Sequence, residues 1–103
     1  MDEKLVEVAM ELIVDAGSAR SCAMEAIQLA KDGKFTEAKD ALAHADNDLI
    51  EAHHVQTDLL PRCARGENIV VNLLMVHAQD HLMTGILAKD LAKEIVELHE
   101  QKA

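Results

Sequence analysis

The sequence predicts an all-α fold, an antiparallel up-down-up bundle of three helices, and three observations carry that prediction. Apolar residues recur at three- and four-residue steps along almost the whole chain. Two short breaks, Asp32-Gly33-Lys34 and Gly66-Glu67-Asn68, interrupt the pattern, and connections this short place successive helices antiparallel. Hydrophobic residues make up 50% of the chain, yet Phe35 is its one aromatic, so Ala, Leu, Val and Met must build an aliphatic, closely interleaved core. The length of 103 residues suits one domain with a modest core, without repeats, low-complexity stretches or linkers.

The first helix is predicted from about Asp2 to Lys31, with Leu5, Val8, Ala9, Leu12, Ala16, Ala19, Ala23, Ala26 or Ile27, and Ala30 on one face. Gly33 is placed to take the left-handed conformation beyond its end. Thr36 resembles the N-cap of a second helix running to about Arg62, which carries Ala38, Ala41, Leu42, Ala45, Leu49, Ala52, Gln56, Leu59 and Leu60 on or near one face. Pro61 is awkward there: the helix either ends near Leu60 or kinks. A third helix is predicted from about Asn68 to Gln101, roughly 50 Å at 1.5 Å per residue, carrying Ile69, Leu73, Val76, Leu87, Leu91, Ile95 and Leu98. Ile69-Val70-Val71 has strand character, but continuity with Leu73 to Leu98 favours helix.

The apolar residues of this third helix cover more than one narrow stripe, so it is expected to pack on two sides. In a small bundle the second side must be another subunit, and a parallel arrangement about an axis brings copies of the third helix together.

A formal net charge of -9 argues against nucleic acid or an anionic membrane surface as a partner, since both recruit Lys and Arg. A partner with a basic face is expected instead. Met1-Asp2-Glu3-Lys4 does not resemble the start of a secretory signal, and no stretch is long enough to span a bilayer. Cys22 and Cys63 lie far apart without CxxC spacing, so reduced, buried thiols are the expectation. The methionines, Met75 and Met83 included, are expected to pack rather than react.

The segment Val76-His77-Ala78-Gln79-Asp80-His81-Leu82-Met83-Thr84 sets two imidazoles and a carboxylate in an otherwise apolar helix. His77, Asp80, His81 and Thr84 fall at i, i+3, i+4 and i+7 and share one surface strip. Three readings are open. The plainest is a solvated stripe or a set of hydrogen-bonded histidines. In the second, two His one turn apart converge on zinc with a carboxylate beside them, and the H-x-x-acid-H spacing matches one zinc peptidase class, although that class uses Glu as its base. No third ligand is obvious along the helix, and His53 and His54 serve only if the second helix faces the third at that height. In the third, a neutral imidazole nitrogen accepts a phosphoryl group, with Gln79, His81 or Thr84 as donors to the phosphate oxygens. Spacing alone does not choose among them.

The nine residues from Val76 to Thr84 resemble the signature of the IIA components of the lactose/cellobiose class of the bacterial phosphoenolpyruvate-dependent sugar phosphotransferase system. Ala16-Gly17-Ser18-Ala19-Arg20-Ser21 and Glu51-Ala52-His53-His54-Val55-Gln56-Thr57 fit the same family, and the resemblance spans essentially the whole chain. It implies a cytoplasmic phosphocarrier that takes a phosphoryl group from the carrier HPr and passes it to the cysteine of a cognate IIB component. Membrane contact is implied only through the permease complex. His77 matches the phosphorylated histidine. Asp80 matches the aspartate that meets its two symmetry copies around a metal ion on the axis of a nine-helix homotrimer. Three converging carboxylates repel unless protonated or neutralised, and a hard divalent ion such as Mg²⁺ suits oxygen ligands. For His81, support of His77 and a structural hydrogen bond weigh equally, and Gln79 either orients the imidazole or is exposed. Arg20 and His53 are read as structural. Ala78 and Glu51-Ala52-His53-His54 lean toward the cellobiose or chitobiose type rather than lactose.

Overall fold

A computed structural model describes residues 3–103, in three helices: α1 (Glu3–Lys31), α2 (Phe35–Ala64) and α3 (Leu73–Gln101). No strand occurs among the described residues, and the start predicted at Asp2 lies outside them. The bundle measures 52 × 21 × 18 Å. Cross-links fix its directions. Ser18 reaches Asp48, Gln56 reaches Gln79 and Lys39 reaches Glu100, so α2 runs antiparallel to both neighbours. The helix α1 packs along both α2 and α3, which share a narrower contact.

Both connections close in the same way. At the end of α1, Gly33 adopts φ 77°, its N–H donates to Ala30 O at 3.0 Å, and the Lys34 N–H donates to Leu29 O at 2.9 Å. At the end of α2, Gly66 adopts φ 87°, its N–H donates to Cys63 O at 3.0 Å, and the Glu67 N–H donates to Arg62 O at 3.1 Å. Each is a Schellman motif, in which a left-handed residue lets the chain satisfy the last carbonyls of the helix. The first motif turns the chain so tightly that α2 starts at Phe35, with Lys34 at the N-cap and no side-chain cap; Thr36 lies inside the first turn. Pro61 neither ends α2 nor stops it three residues short: the helix runs to Ala64, and Pro61 O accepts from the Arg65 N–H at 3.0 Å.

The third helix starts five residues later than the apolar run suggests. Residues 67–72 are irregular, and Asn72, at φ -129° and ψ 178°, caps α3 by accepting from the Met75 N–H at 3.0 Å. An extended Asn with its side-chain oxygen on the N3 amide satisfies one of the four unpaired donors of a helix start. That local cap outweighs the propensity of Ile69-Val70-Val71 to continue in either regular form.

The interior of the bundle is built from small residues. Ala9, Ala16, Ala19, Ala23 and Ala26 of α1 are fully buried, as are Ala38, Ala45 and Ala52 of α2 and Ala78 and Ala92 of α3, with Leu12 and Leu82 between them. The helices approach closely where Gly85 meets α1: a Cβ there would stand 3.1 Å from Ala16 O. The faces predicted for α1 and α2 are the buried ones, except that Leu60 is exposed. On α3 the order is reversed. Met75, Ala78, Leu82, Gly85, Ala92 and Val96 face the core, whereas Leu73 (84% exposed), Val76, Met83, Leu87, Leu91 and Leu98 face outward. The thiols also differ from expectation: Cys22 is half-buried, and Cys63 is exposed near the end of α2.

Candidate functional site

The polar segment occupies the first half of α3. His77 is exposed and His81 half-buried, and the two rings meet edge to face with centroids 4.4 Å apart at 62°. The i, i+4 spacing brings them together, because side chains one turn apart stack on the same helix face. Space for the second ring comes from α1, where a Cβ on Gly17 would stand 3.9 Å from His81 Cδ2. A glycine in the middle of α1 thus borders the histidine pair, and Gly17 belongs to one of the segments that carried the family resemblance. Leu73 and Leu74 line a shallow hollow with His77. The imidazole therefore stands at the edge of an apolar depression, open to a macromolecular partner.

The other predicted members turn elsewhere. Gln79 accepts from Gln56 Nε2 at 2.6 Å and lies 3.8 Å from Met75 Sδ, so its amide links α3 to α2. Thr84 Oγ1 donates back to Asp80 O at 2.8 Å, as a hydroxyl inside a helix commonly does. His53 and His54 line a different cleft between α2 and α3, with Leu49, Ile50, Ile86 and Lys89. Arg20 is exposed on α1. Among the described residues, the three side chains able to converge on one ion are Cys22, His44 and Asp48, not His77, Asp80 and His81. Among the described residues, the zinc-peptidase spacing therefore gains no third ligand.

Asp80 is exposed at the centre of the outward apolar stripe of α3, between Val76 and Met83. Residues 73, 76, 80, 83, 87, 91 and 98 recur at three, four and seven, the spacing of a helix seam that packs against like helices. One carboxylate therefore interrupts an otherwise apolar seam.

Two electrostatic features lie away from α3. Burial, then Glu11, Asp48 and Glu51, push the Asp15 carboxyl above its usual range. Burial, then Asp48 and Glu25, push the Cys22 thiol up. The α1–α2 groove is thus rich in carboxylates. Nothing in the spacing of the first two helices announced it, although His44 and Asp48 are one turn apart.

Residues 7–100 match the family described as "PTS system, Lactose/Cellobiose specific IIA subunit". The chain belongs to this family. It is a phosphotransferase component of the sugar phosphotransferase system. It is 58% identical over 89 residues to the galactose-specific EIIA component of Lactococcus lactis subsp. cremoris, covering 86% of this chain and 77% of the relative. The cellobiose-specific enzyme IIA of Bacillus anthracis superposes with a TM-score of 0.93 at 44% identity, covering 98% of this chain and 93% of that one. The IIA(chitobiose) chain in the solution structures of its complex with HPr, from Escherichia coli, superposes at 0.83 with 47% identity, covering 99% and 100%. Among the described residues no helix is long and apolar enough to cross a membrane.

Proposed function

We propose that this IIA component relays a phosphoryl group through His77, accepting it from phosphohistidine HPr and passing it to the cysteine of a cognate IIB component in the cytoplasm. The observation that carries the proposal is the exposed His77 imidazole at the rim of an apolar hollow, edge-on to His81. In the first transfer, a ring nitrogen of His77 forms a bond to phosphorus as the donor's nitrogen–phosphorus bond breaks. Each ring keeps the proton on its other nitrogen, so the phosphoryl group moves without net proton release. In the second, a thiolate displaces the His77 nitrogen from phosphorus. Nothing in either step needs a closed cleft, which fits a histidine placed where two proteins meet. His81 supports the ring by its edge contact, and Gln79 acts indirectly by tying α3 to α2 through Gln56.

The active form in this proposal is a homotrimer in which three α3 helices pack through their outward stripes. Apolar faces of this size are rare on monomers and usually meet a partner. Three Asp80 carboxylates would then converge near the axis, and an oxygen-binding divalent ion, Mg²⁺ foremost, would neutralise them. The sugar is a β-linked disaccharide of cellobiose or chitobiose type, and it is selected by the permease, since this component need not touch it. The HPr-bound likeness of the Escherichia coli protein supports the donor, and the charge of -9 suits a basic contact face.

Reconstitution tests the relay. With phosphoenolpyruvate, enzyme I and HPr, the protein is expected to acquire an acid-labile phosphoryl group that a cognate IIB component discharges. His77→Ala is expected to acquire none. A wild-type protein that stays unlabelled beside a labelled control IIA would refute the relay.

A further inference from the structure

We propose that Cys22, His44 and Asp48 form a binding site for a borderline divalent metal ion of the Zn²⁺ class, on the α1–α2 seam and separate from the α3 cluster. One ligand atom from each side chain, the Cys22 Sγ, a ring nitrogen of His44 and a carboxylate oxygen of Asp48, already lies within 4.8 Å of the other two. A tetrahedral ion with bonds of ~2.0–2.3 Å holds its ligands ~3.3–3.8 Å apart, so small side-chain rotations complete the tripod. Two ligands come from one helix at i, i+4 and the third from the antiparallel neighbour. The site is thus assembled by the same packing that forms the fold.

The donor chemistry selects the ion. A thiolate excludes Mg²⁺ and Ca²⁺, which take oxygen ligands, whereas sulfur, imidazole and carboxylate together suit Zn²⁺ or Co²⁺. Thiolate and carboxylate balance the charge of a divalent ion, and Asp15, Glu25 and Glu51 stand near enough to the groove to add negative potential. Ser18 Oγ donates to Asp48 Oδ2 at 2.6 Å, which holds the carboxylate in place as an outer-sphere partner does in metal sites. His44 is exposed and Cys22 and Asp48 are half-buried, so an ion has an open approach and a fourth position for water or an exogenous ligand. Bound there, it ties α1 to α2 and stabilises the fold increasingly as its free concentration exceeds its dissociation constant.

Titration of the full-length, thiol-reduced protein with Co²⁺ alone tests the site, read by the thiolate-to-cobalt charge-transfer band and reversed by Zn²⁺. The band is expected in the wild type, in Cys63→Ser and in Asp80→Asn, and is expected to vanish in Cys22→Ser. Ser18→Ala is expected to weaken binding ~10–100-fold. His44→Ala, whose exposed side chain leaves folding intact, is expected to weaken it at least as much. The proposal is overturned by a wild type without the band, by a band that survives Cys22→Ser, or by unchanged affinity in His44→Ala.

Discussion

Gly85→Ala and Gly17→Ala are the same chemical change in the same bundle, and the structure assigns them opposite signs. At Gly85 the new methyl would stand 3.1 Å from Ala16 O, 3.6 Å from Ala16 Cβ and 3.7 Å from a Leu49 methyl. The nearest of these is backbone of a buried helix, which cannot rotate away, so α1 and α3 must part by a few tenths of an ångström. Overpacking of this kind costs about 1–3 kcal/mol. Against it stands the better helix propensity of alanine, about 1 kcal/mol. The balance is a destabilisation of about 1 kcal/mol, equivalent to a melting temperature lowered by about 4 °C for a domain of this size. At Gly17 the methyl would meet His81 Cδ2 at 3.9 Å, an ordinary contact, and the propensity gain of about 0.5–1 kcal/mol survives. Urea unfolding followed by far-ultraviolet circular dichroism, at one protein concentration, measures both. A Gly85→Ala protein as stable as Gly17→Ala would show that the helices are not in backbone contact at this level.

Other perturbations read other parts of the molecule. Asp80→Leu completes the apolar seam of α3; if the proposed trimer holds an ion at Asp80, elemental analysis is expected to show a metal in the wild type that the variant lacks and sedimentation a trimer in both, and a wild type that sediments as a metal-free monomer would contradict the assembly. Asn72→Ala removes the cap that accepts from the Met75 N–H, and denaturant titration is expected to show a loss of about 1 kcal/mol with faster amide exchange at Leu73 to Val76. Asp15 holds its proton more tightly in the folded chain, because of burial first and then Glu11, Asp48 and Glu51, so its ionisation weakens the fold as pH rises from about 3.9 through the raised folded value. Asp15→Asn is therefore expected to be more stable than wild type at neutral pH, with the gap in thermal melts closing as pH falls through the raised folded value toward about 3.9; a gap that widens on acidification would reverse the sign.

Helix positions on α1 and α2 were legible because each buries one stripe of alanines and leucines at a regular period, and Gly33 marks a turn that only a left-handed residue closes. The start of α3 was not legible from apolarity, because Ile69-Val70-Val71 carries enough of it to extend the pattern; the deciding residue is Asn72, a single cap whose effect is local. The inward face of α3 was also obscured. Leu73, Val76, Leu87, Leu91 and Leu98 dominate by size, yet the bundle uses Ala78, Gly85 and Ala92, since small residues let α1 approach. At the site, the pairing of His77 with His81 follows from their i, i+4 spacing. The Gln79–Gln56 bond and the Cys22, His44 and Asp48 grouping depend on which helices face each other at which height, and spacing within one helix does not encode that.

Mapping the acid-labile phosphoryl group after reaction with phospho-HPr tests the central claim most directly. Peptide sequencing by mass spectrometry under alkaline conditions is expected to place one phosphoryl group per chain on the His77 ring, with His81→Ala still labelled and His77→Ala blank. A phosphoryl group found on His81 or on any other residue, or label retained in His77→Ala, would contradict the account.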